Sequence, residues 1–207
     1  MLDVKGLTSS FIEPWRTSIF SNIHQAPWDV VGNIEEFLRQ QIAGVDSSYS
    51  LNDRVAVHHS TTIEAGAVVK GPAIIGPNCF IAAWAYLRGG VYLERDCVIG
   101  PSSELKTSVM FADSKLAHMN FVGDSIIGAD VNIEAGAIIA NHRNEWENRN
   151  IRIGYRGQVI DTWVNKFGAL VGDGSRIGAN AVIAPGGLLE PSSIVGRLQL
   201  IDQCPQD

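Results

Sequence analysis

Three cations and one histidine are the residues best placed to do chemistry in this sequence. Lys70, Arg88 and Lys106 recur every eighteen residues, and each directly follows an aliphatic residue: Val69, Leu87 and Leu105. If the backbone repeats on that period, they form a column of like charges. Charges stacked at a β-sheet spacing of roughly 4.8 Å repel unless something neutralises them. A bound anion, most naturally a phosphate, would do so. Glu94 or Glu104 would do so equally, leaving only a solvated ladder. His118, in Ala117-His118-Met119-Asn120-Phe121, is the fourth residue. An imidazole titrates near pH 6.5, which suits a general base at neutral pH. A single histidine can as easily be structural, so its setting has to decide.

Other polar groupings carry less. His58 and His59 are adjacent, so one side chain points into a turn and the other out, and no third ligand is spaced to complete a metal site. Asp124 and His142 stand eighteen residues apart and could stack on the same period, orienting the imidazole or merely pairing at the surface. Cys79 and Cys97 share that spacing; parallel in one column they read as small core residues rather than a disulfide. The sequence has no nucleophile elbow, no phosphate-binding glycine loop before a helix and no CxxC.

The element that must position these groups is a six-residue repeat over residues 51–110. Leu51, Val57, Ile63, Val69, Ile75, Ile81, Leu87, Leu93, Ile99 and Leu105 are all aliphatic. Four residues after each stands a small or medium residue: Val55, Thr61, Ala67, Ala73, Cys79, Ala85, Val91, Cys97, Ser103 and Val109. No α-helix has a six-residue apolar period, because its turn is 3.6 residues. Sustained hexads coil into a parallel β-helix, with three hexads closing an eighteen-residue coil. The phase slips at 109–115, just before His118. It resumes as Phe121, Ile127, Ile133 and Ile139, with Ser125, Val131 and Ala137 at the small position. It breaks again at Asn141 and returns at Val171, Ile177, Ile183, Leu189 and Val195.

An all-β solenoid of about six coils is therefore expected over residues 51–196. Residues 1–50 do not fit the repeat. Asn33-Ile34-Glu35-Glu36 reads as a capping-box variant opening a helix of about ten residues, with Ile34, Phe37, Leu38 and Ile42 on one face, ending near Gly44. Such a helix would cap the open first coil. In the insertion, 141–167, the runs 151–155 and 159–163 flank Arg156-Gly157-Gln158, a β-hairpin expected to protrude from the prism. Residues 197–207 read as a short terminal strand and a loose tail.

Composition narrows the function classes. A formal charge of −6 over 207 residues argues against nucleic-acid binding, which leaves a basic footprint. Residues 1–10 have no apolar core of a signal peptide, and no run of eighteen apolar residues occurs. Three cysteines make no disulfide framework. A cytoplasmic, reduced protein is expected.

The order Leu87-Arg88-Gly89, Glu104-Leu105-Lys106, His118 through Gly123-Asp124, Ile127-Gly128 to Asn132, and Ile133-Glu134-Ala135-Gly136 to Asn141 resembles a known family. It is similar to the left-handed β-helix acetyltransferase domain of the bifunctional glucosamine-1-phosphate acetyltransferase/N-acetylglucosamine-1-phosphate uridyltransferases. The likeness covers roughly residues 51–195 and runs without a gap from Arg88 to Asn141. The insertion with Lys166-Phe167-Gly168 looks more like the archaeal sugar-phosphate nucleotidyltransferases. The resemblance implies a left-handed coil and a homotrimer with sites between neighbouring prisms. It implies acetyl-CoA as co-substrate, His118 as the base, Arg88 and Lys106 on the sugar phosphate, and Asn132 and Asn141 orienting substrate.

Three departures bear on the substrate. The family's tyrosine three residues after the histidine is Phe121, its aromatic after the second asparagine is His142, and its lysine six residues after Asn141 is Glu147. Arg143 is a candidate replacement for the lost cation. The glycine-rich nucleotidyltransferase motif has no counterpart in residues 1–50, so uridylyl transfer is not expected. The leading expectation is an acyl-CoA-dependent N-acyltransferase acting on an amino sugar phosphate or nucleotide-linked amino sugar. A non-catalytic trimeric sugar-nucleotide-binding or scaffolding module is the alternative. A metal-dependent hydratase on the same fold is a remote third, since His58, His59, His118 and His142 do not supply the ligand spacing.

Overall fold

The computed structural model describes residues 3–204. The aliphatic hexads build three parallel ladders. Ile63, Ile81, Ile99, Leu116, Ile133, Ile177 and Val195 stack on a seven-stranded face. Val69, Leu87, Leu105, Val122, Ile139, Ile183 and Ile201 stack on a second. Val57, Ile75, Leu93, Met110, Ile127, Val171 and Leu189 stack on the third. These side chains meet in one continuous core, and the small residues at the corners fill the spaces between ladders. The chain is thus a parallel β-helix with seven rungs on its first face, where about six coils are expected from the sequence.

The repeat begins later than the period suggests. Leu51 is 58% exposed, because residues Tyr49–Asn52 run antiparallel to Val55–His58 around a turn with Asp53 and Arg54 both at positive φ. Leu51 keeps the phase but not the direction, and the first inward residue is Val57.

The slip is one residue lost at one corner, twice. Inward residues step by five, not six, from Leu105 to Met110 and from Val122 to Ile127. One coil earlier the same corner holds Gly89 and Gly90, which together oppose Thr107 in a β-bulge between Arg88 and Val91. A Cβ on Gly89 would lie 2.6 Å from Thr107 Oγ1, so the bulge requires glycine. The shorter corner shifts the register downstream. Val122, not Phe121, points inward, and Phe121 faces out, half-buried. Ser108, not Val109, takes the small position, while Val109 faces outward beneath the N-terminal helices.

Those helices are α1 (Leu7–Phe11), α2 (Pro27–Gly32) and α3 (Ile34–Ile42). They lie along the flank of the third face instead of over the open first coil. The outward residues there, Ala56, Ile74, Tyr92, Val109, Ile126, Leu170 and Leu188, are apolar and join Phe11, Trp15, Phe20, Trp28 and Leu38 in a second core. The capping box does not form. Asn33 links α2 directly to α3, and its Nδ2 donates back to Asp29 O at 2.9 Å.

The insertion hairpin pairs Arg152–Tyr155 with Gln158–Asp161 around Arg156 and Gly157, both at positive φ. Its inner residues Ile151, Ile153 and Tyr155 pack into the second core, while Val159 on the other strand faces out. Among the described residues no helix is long and apolar enough to cross a membrane.

Candidate active site

The second face and its N-terminal corner gather most of the residues singled out by the sequence. Each strand there is short, with the aliphatic residue inward and its neighbours outward, so Tyr86 and Arg88, Glu104 and Lys106, and Phe121 and Gly123 share the outer surface. Arg88 pairs with Lys106 across the ladder, and Lys106 with Gly123.

Every cation of the column has a partner. Lys70 Nζ lies 5.1 Å from the centre of the Tyr86 ring and Arg88 Cζ 5.6 Å from it, within cation–π reach. Arg88 Nε donates to Glu104 Oε1 at 2.7 Å, and Nη2 forms an ion pair with the same oxygen at 2.7 Å. Lys106 Nζ donates to Asp124 Oδ1 at 3.0 Å, Asp124 Oδ2 at 2.7 Å and Thr107 Oγ1 at 3.1 Å. Asn141 Nδ2 donates to Asp124 Oδ2 as well. Glu104 therefore relieves the column at Arg88, and Asp124 relieves it at Lys106. Glu94 does not take part, since its carboxylate accepts the Ala112 amide at 2.9 Å.

Phe121 and Asn141 meet over Gly123. A Cβ there would lie 2.7 Å from Asn141 Nδ2 and 2.8 Å from Phe121 Cζ. Glycine lets both side chains close over the backbone beside Lys106. Arg88, Lys106, Phe121 and Asn141 thus share one patch with Glu104 and Asp124.

His118 sits on the corner three residues before Phe121. Its imidazole is exposed and makes no hydrogen bond among the described residues. The corner itself is fixed by backbone bonds, from Gly136 N to His118 O at 3.0 Å and from Met119 N to Pro101 O at 3.0 Å. Behind it Asn120 occupies a small-residue position, buried, with Nδ2 donating to Glu134 O at 2.7 Å and Ala137 O at 3.2 Å. A rigid corner presenting a solvated imidazole suits proton transfer.

Asn132 and His142 are placed differently. Asn132 lies around the His118 corner on the seven-stranded face, paired with Lys115 and Arg176, at a cavity of about 320 Å³ shared with Glu134 and Arg197. Within one chain it does not join Arg88 and Lys106. In that cavity the Arg197 guanidinium holds the Glu134 carboxyl below its usual range. His142 does not stack on Asp124. Its Nδ1 contacts Asn165 O at 2.9 Å, and since a carbonyl only accepts, Nδ1 carries the proton. The one-residue deletions move Asn141, not His142, over Asp124.

Arg143 is not the replacement cation. It is 3% exposed, donates to both Asp202 oxygens at 2.7 Å, and stacks 4.3 Å from the Trp146 ring, tying the insertion to the terminal strand. Cys79 and Cys97 are buried free thiols directed at Glu94 O (2.9 Å) and Phe111 O (3.2 Å). Among the described residues no group of three or more His, Cys, Asp or Glu could hold a metal. Cavities of about 420 and 570 Å³ lie among the N-terminal helices and the hairpin, and His118 lines neither.

Tyr86 and Asn120 escape the sequence reading. Tyr86 stands two residues before Arg88, on the same outward side of its strand, and that spacing could have revealed it. Nothing in the sequence marks Asn120 as a small-position residue, because the corner that loses a residue and sets its phase leaves no trace in the repeat.

Residues 54–89 and 72–107 match the family described as Bacterial transferase hexapeptide (six repeats). The bifunctional protein GlmU of Methanococcus vannielii is 33% identical over 181 residues, which is 86% of this chain and 43% of that protein. The bifunctional sugar-1-phosphate nucleotidylyltransferase/acetyltransferase of Sulfurisphaera tokodaii is 31% identical over 182 residues, 83% of this chain and 45% of that protein. The chain thus spans less than half the length of these relatives. A solved structure of AntD, an N-acyltransferase from Bacillus cereus in complex with dTDP and coenzyme A, aligns at 14% identity with a TM-score of 0.39, covering 78% of this chain and 84% of that one.

Proposed function

We propose that the chain, whose residues 54–107 match the hexapeptide-repeat transferases, is an acyl-CoA-dependent N-acyltransferase acting on an amino sugar that carries a phosphate or a nucleotide. The observation that carries this reading is the gathering of Arg88, Lys106, Phe121 and Asn141 on one face beside the exposed His118 corner. A chain 33% identical to a bifunctional GlmU protein supports the same reaction class.

The neutral His118 imidazole takes a proton from the sugar ammonium. The freed amine nitrogen attacks the thioester carbonyl carbon, and a backbone N–H steadies the oxyanion. The tetrahedral intermediate collapses with cleavage of the C–S bond. The nitrogen gives its second proton to solvent as the amide forms, and the thiolate leaves and takes up the proton held by His118 as the free thiol. Arg88 and Lys106 hold the phosphate, contributing orientation and not proton transfer. The acyl group is acetyl, and the co-substrate is acetyl-CoA. The working form is the homotrimer that the family resemblance implies, and the placement of Asn132 and Arg88 on different faces is in keeping with it: a neighbouring prism brings the two together and its turns complete the pantetheine groove.

The test follows free thiol while the protein turns over acetyl-CoA with a panel of amino sugar phosphates and nucleotide-linked amino sugars. Thiol release with one of them supports the transferase. A second reading, a non-catalytic sugar-nucleotide binder, is favoured by Phe121, which lacks the hydroxyl of the resembled family, and by cations already paired without ligand. Thermal stabilisation by the sugar with no thiol release would select it and overturn the transferase.

A further inference from the structure

Trp84 has no part in the scheme above, yet it is 72% exposed. It sits on the His118 corner, at φ +65°, in a column of left-handed corner residues that continues through Ser102 and Met119. A methyl group at Gly66, one coil away, would lie 3.7, 3.8 and 3.8 Å from Trp84 Cε3, Cδ2 and Cζ3. Near-equal distances to three consecutive ring atoms place Gly66 over the face of the indole, not at its edge. One face therefore rests on backbone that only a glycine leaves bare, and the opposite face is turned to the Ser102 side.

The next positions of the same corner column lie beyond that face. Ser102 is small, and the next residue in the column, Met119, is 65% exposed and stands two rungs from Trp84. Two rungs are about 10 Å at the β-sheet spacing. A planar ring with van der Waals contact on both sides needs roughly 7–8 Å between its neighbours. The strand that leaves Trp84 presents Tyr86 and then Arg88, and the next coil presents Lys106. An aromatic platform, a methionine two rungs on in the same corner column and two cations along the adjoining face are thus arranged on successive coils.

We infer that Trp84 is the stacking platform for a nucleobase, and that the acceptor sugar is presented as a nucleoside diphosphate conjugate rather than as a bare sugar phosphate. The base lies on the open face of the indole, and the diphosphate runs toward Arg88 and Lys106. Stacking is tolerant of base identity because every base offers a π-face. This assigns a substrate class to the site and rests on the acyltransferase reading only for the reaction that follows binding.

The test titrates the full chain with uridine diphosphate, thymidine diphosphate and inorganic pyrophosphate, by calorimetry and by tryptophan fluorescence. Both nucleoside diphosphates should quench fluorescence in the wild type and should bind more tightly than pyrophosphate. Trp84→Ala should weaken them about 5- to 100-fold while leaving pyrophosphate unchanged; Trp84→Phe should restore most of the loss. Equal nucleotide affinity in Trp84→Ala, or equal loss for pyrophosphate, would overturn the platform. So would a change of oligomeric state in Trp84→Ala by sedimentation, since the ring would then be covered by a second copy. Thiol release with a bare amino sugar phosphate but no nucleotide binding would remove this inference and leave the transferase standing. Nucleotide binding without thiol release does the reverse.

Discussion

Asp124 closes on Lys106 with both carboxylate oxygens, at 3.0 and 2.7 Å, while Asn141 donates to the same carboxylate. Asp124 is 6% exposed, so this is a largely desolvated pair and not a surface bridge. A phosphate arriving at Lys106 meets a cation whose charge is already matched. Asp124→Asn removes a charge beside the anion site; at about 5 Å and an intermediate dielectric that amounts to ~1.4 kcal/mol, or tenfold. Inorganic pyrophosphate should bind Asp124→Asn about tenfold more tightly by calorimetry. Unchanged affinity would place the anion elsewhere. Lys106→Ala leaves the buried carboxylate unpaired and should cost about 3–5 kcal/mol in urea unfolding.

His118 differs from Lys106 in owing nothing to its neighbours. With an exposed ring and no hydrogen bond among the described residues, His118→Ala should leave the urea midpoint within about 0.5 kcal/mol of wild type. If it is the base, kcat for acyl transfer should fall about 10²- to 10⁴-fold with little change in KM. Near-normal turnover would remove the assignment.

The corrected register makes its own prediction. Val122 is fully buried in the prism and Phe121 faces out. Val122→Asn buries an amide without partners and should destabilise by about 2–5 kcal/mol. Phe121→Asn should cost less than about 1.5 kcal/mol, because only half a ring is lost from contact. The phase read from the sequence predicts the opposite order, so paired urea curves decide between the two.

Much of this architecture is legible in the residues, and the failures share a cause. Period six identifies a solenoid because no other regular structure keeps it, and Lys70, Arg88 and Lys106 fall in one column because three full hexads separate them. The period says nothing about direction, so Leu51 passed for the first inward residue while lying on an antiparallel strand. It also cannot show which corner absorbs a missing residue. That choice is made by local backbone geometry, Gly89-Gly90 in one coil against Thr107 alone in the next, and it moved Phe121 outward and Asn141 over Asp124. Ile74 and Tyr92 are apolar at outward positions of the third face even in the sequence phase, and with them comes the need for a cover along the flank.

Arg143 and Asp202 give the remaining prediction, on pH. The Arg143 guanidinium, bonded to both carboxylate oxygens, holds Asp202 below the usual aspartate range. A carboxyl depressed in the folded state binds fewer protons there than in the unfolded chain. Its contribution is therefore present above the ordinary aspartate pKa of about 3.9 and is lost as pH falls through the lower folded value. The wild type should lose thermal stability on acidification below about pH 4, as the clasp between insertion and terminal strand is protonated. Asp202→Asn leaves the buried Arg143 with only the exposed Glu145 carboxylate, 3.3 Å away, as a counter-ion and should cost about 3 kcal/mol at pH 7. That variant has no carboxyl to protonate, so its deficit against the wild type should shrink from pH 7 to pH 3. A constant deficit across that range would mean that Asp202 is not held ionised by Arg143 in the folded protein.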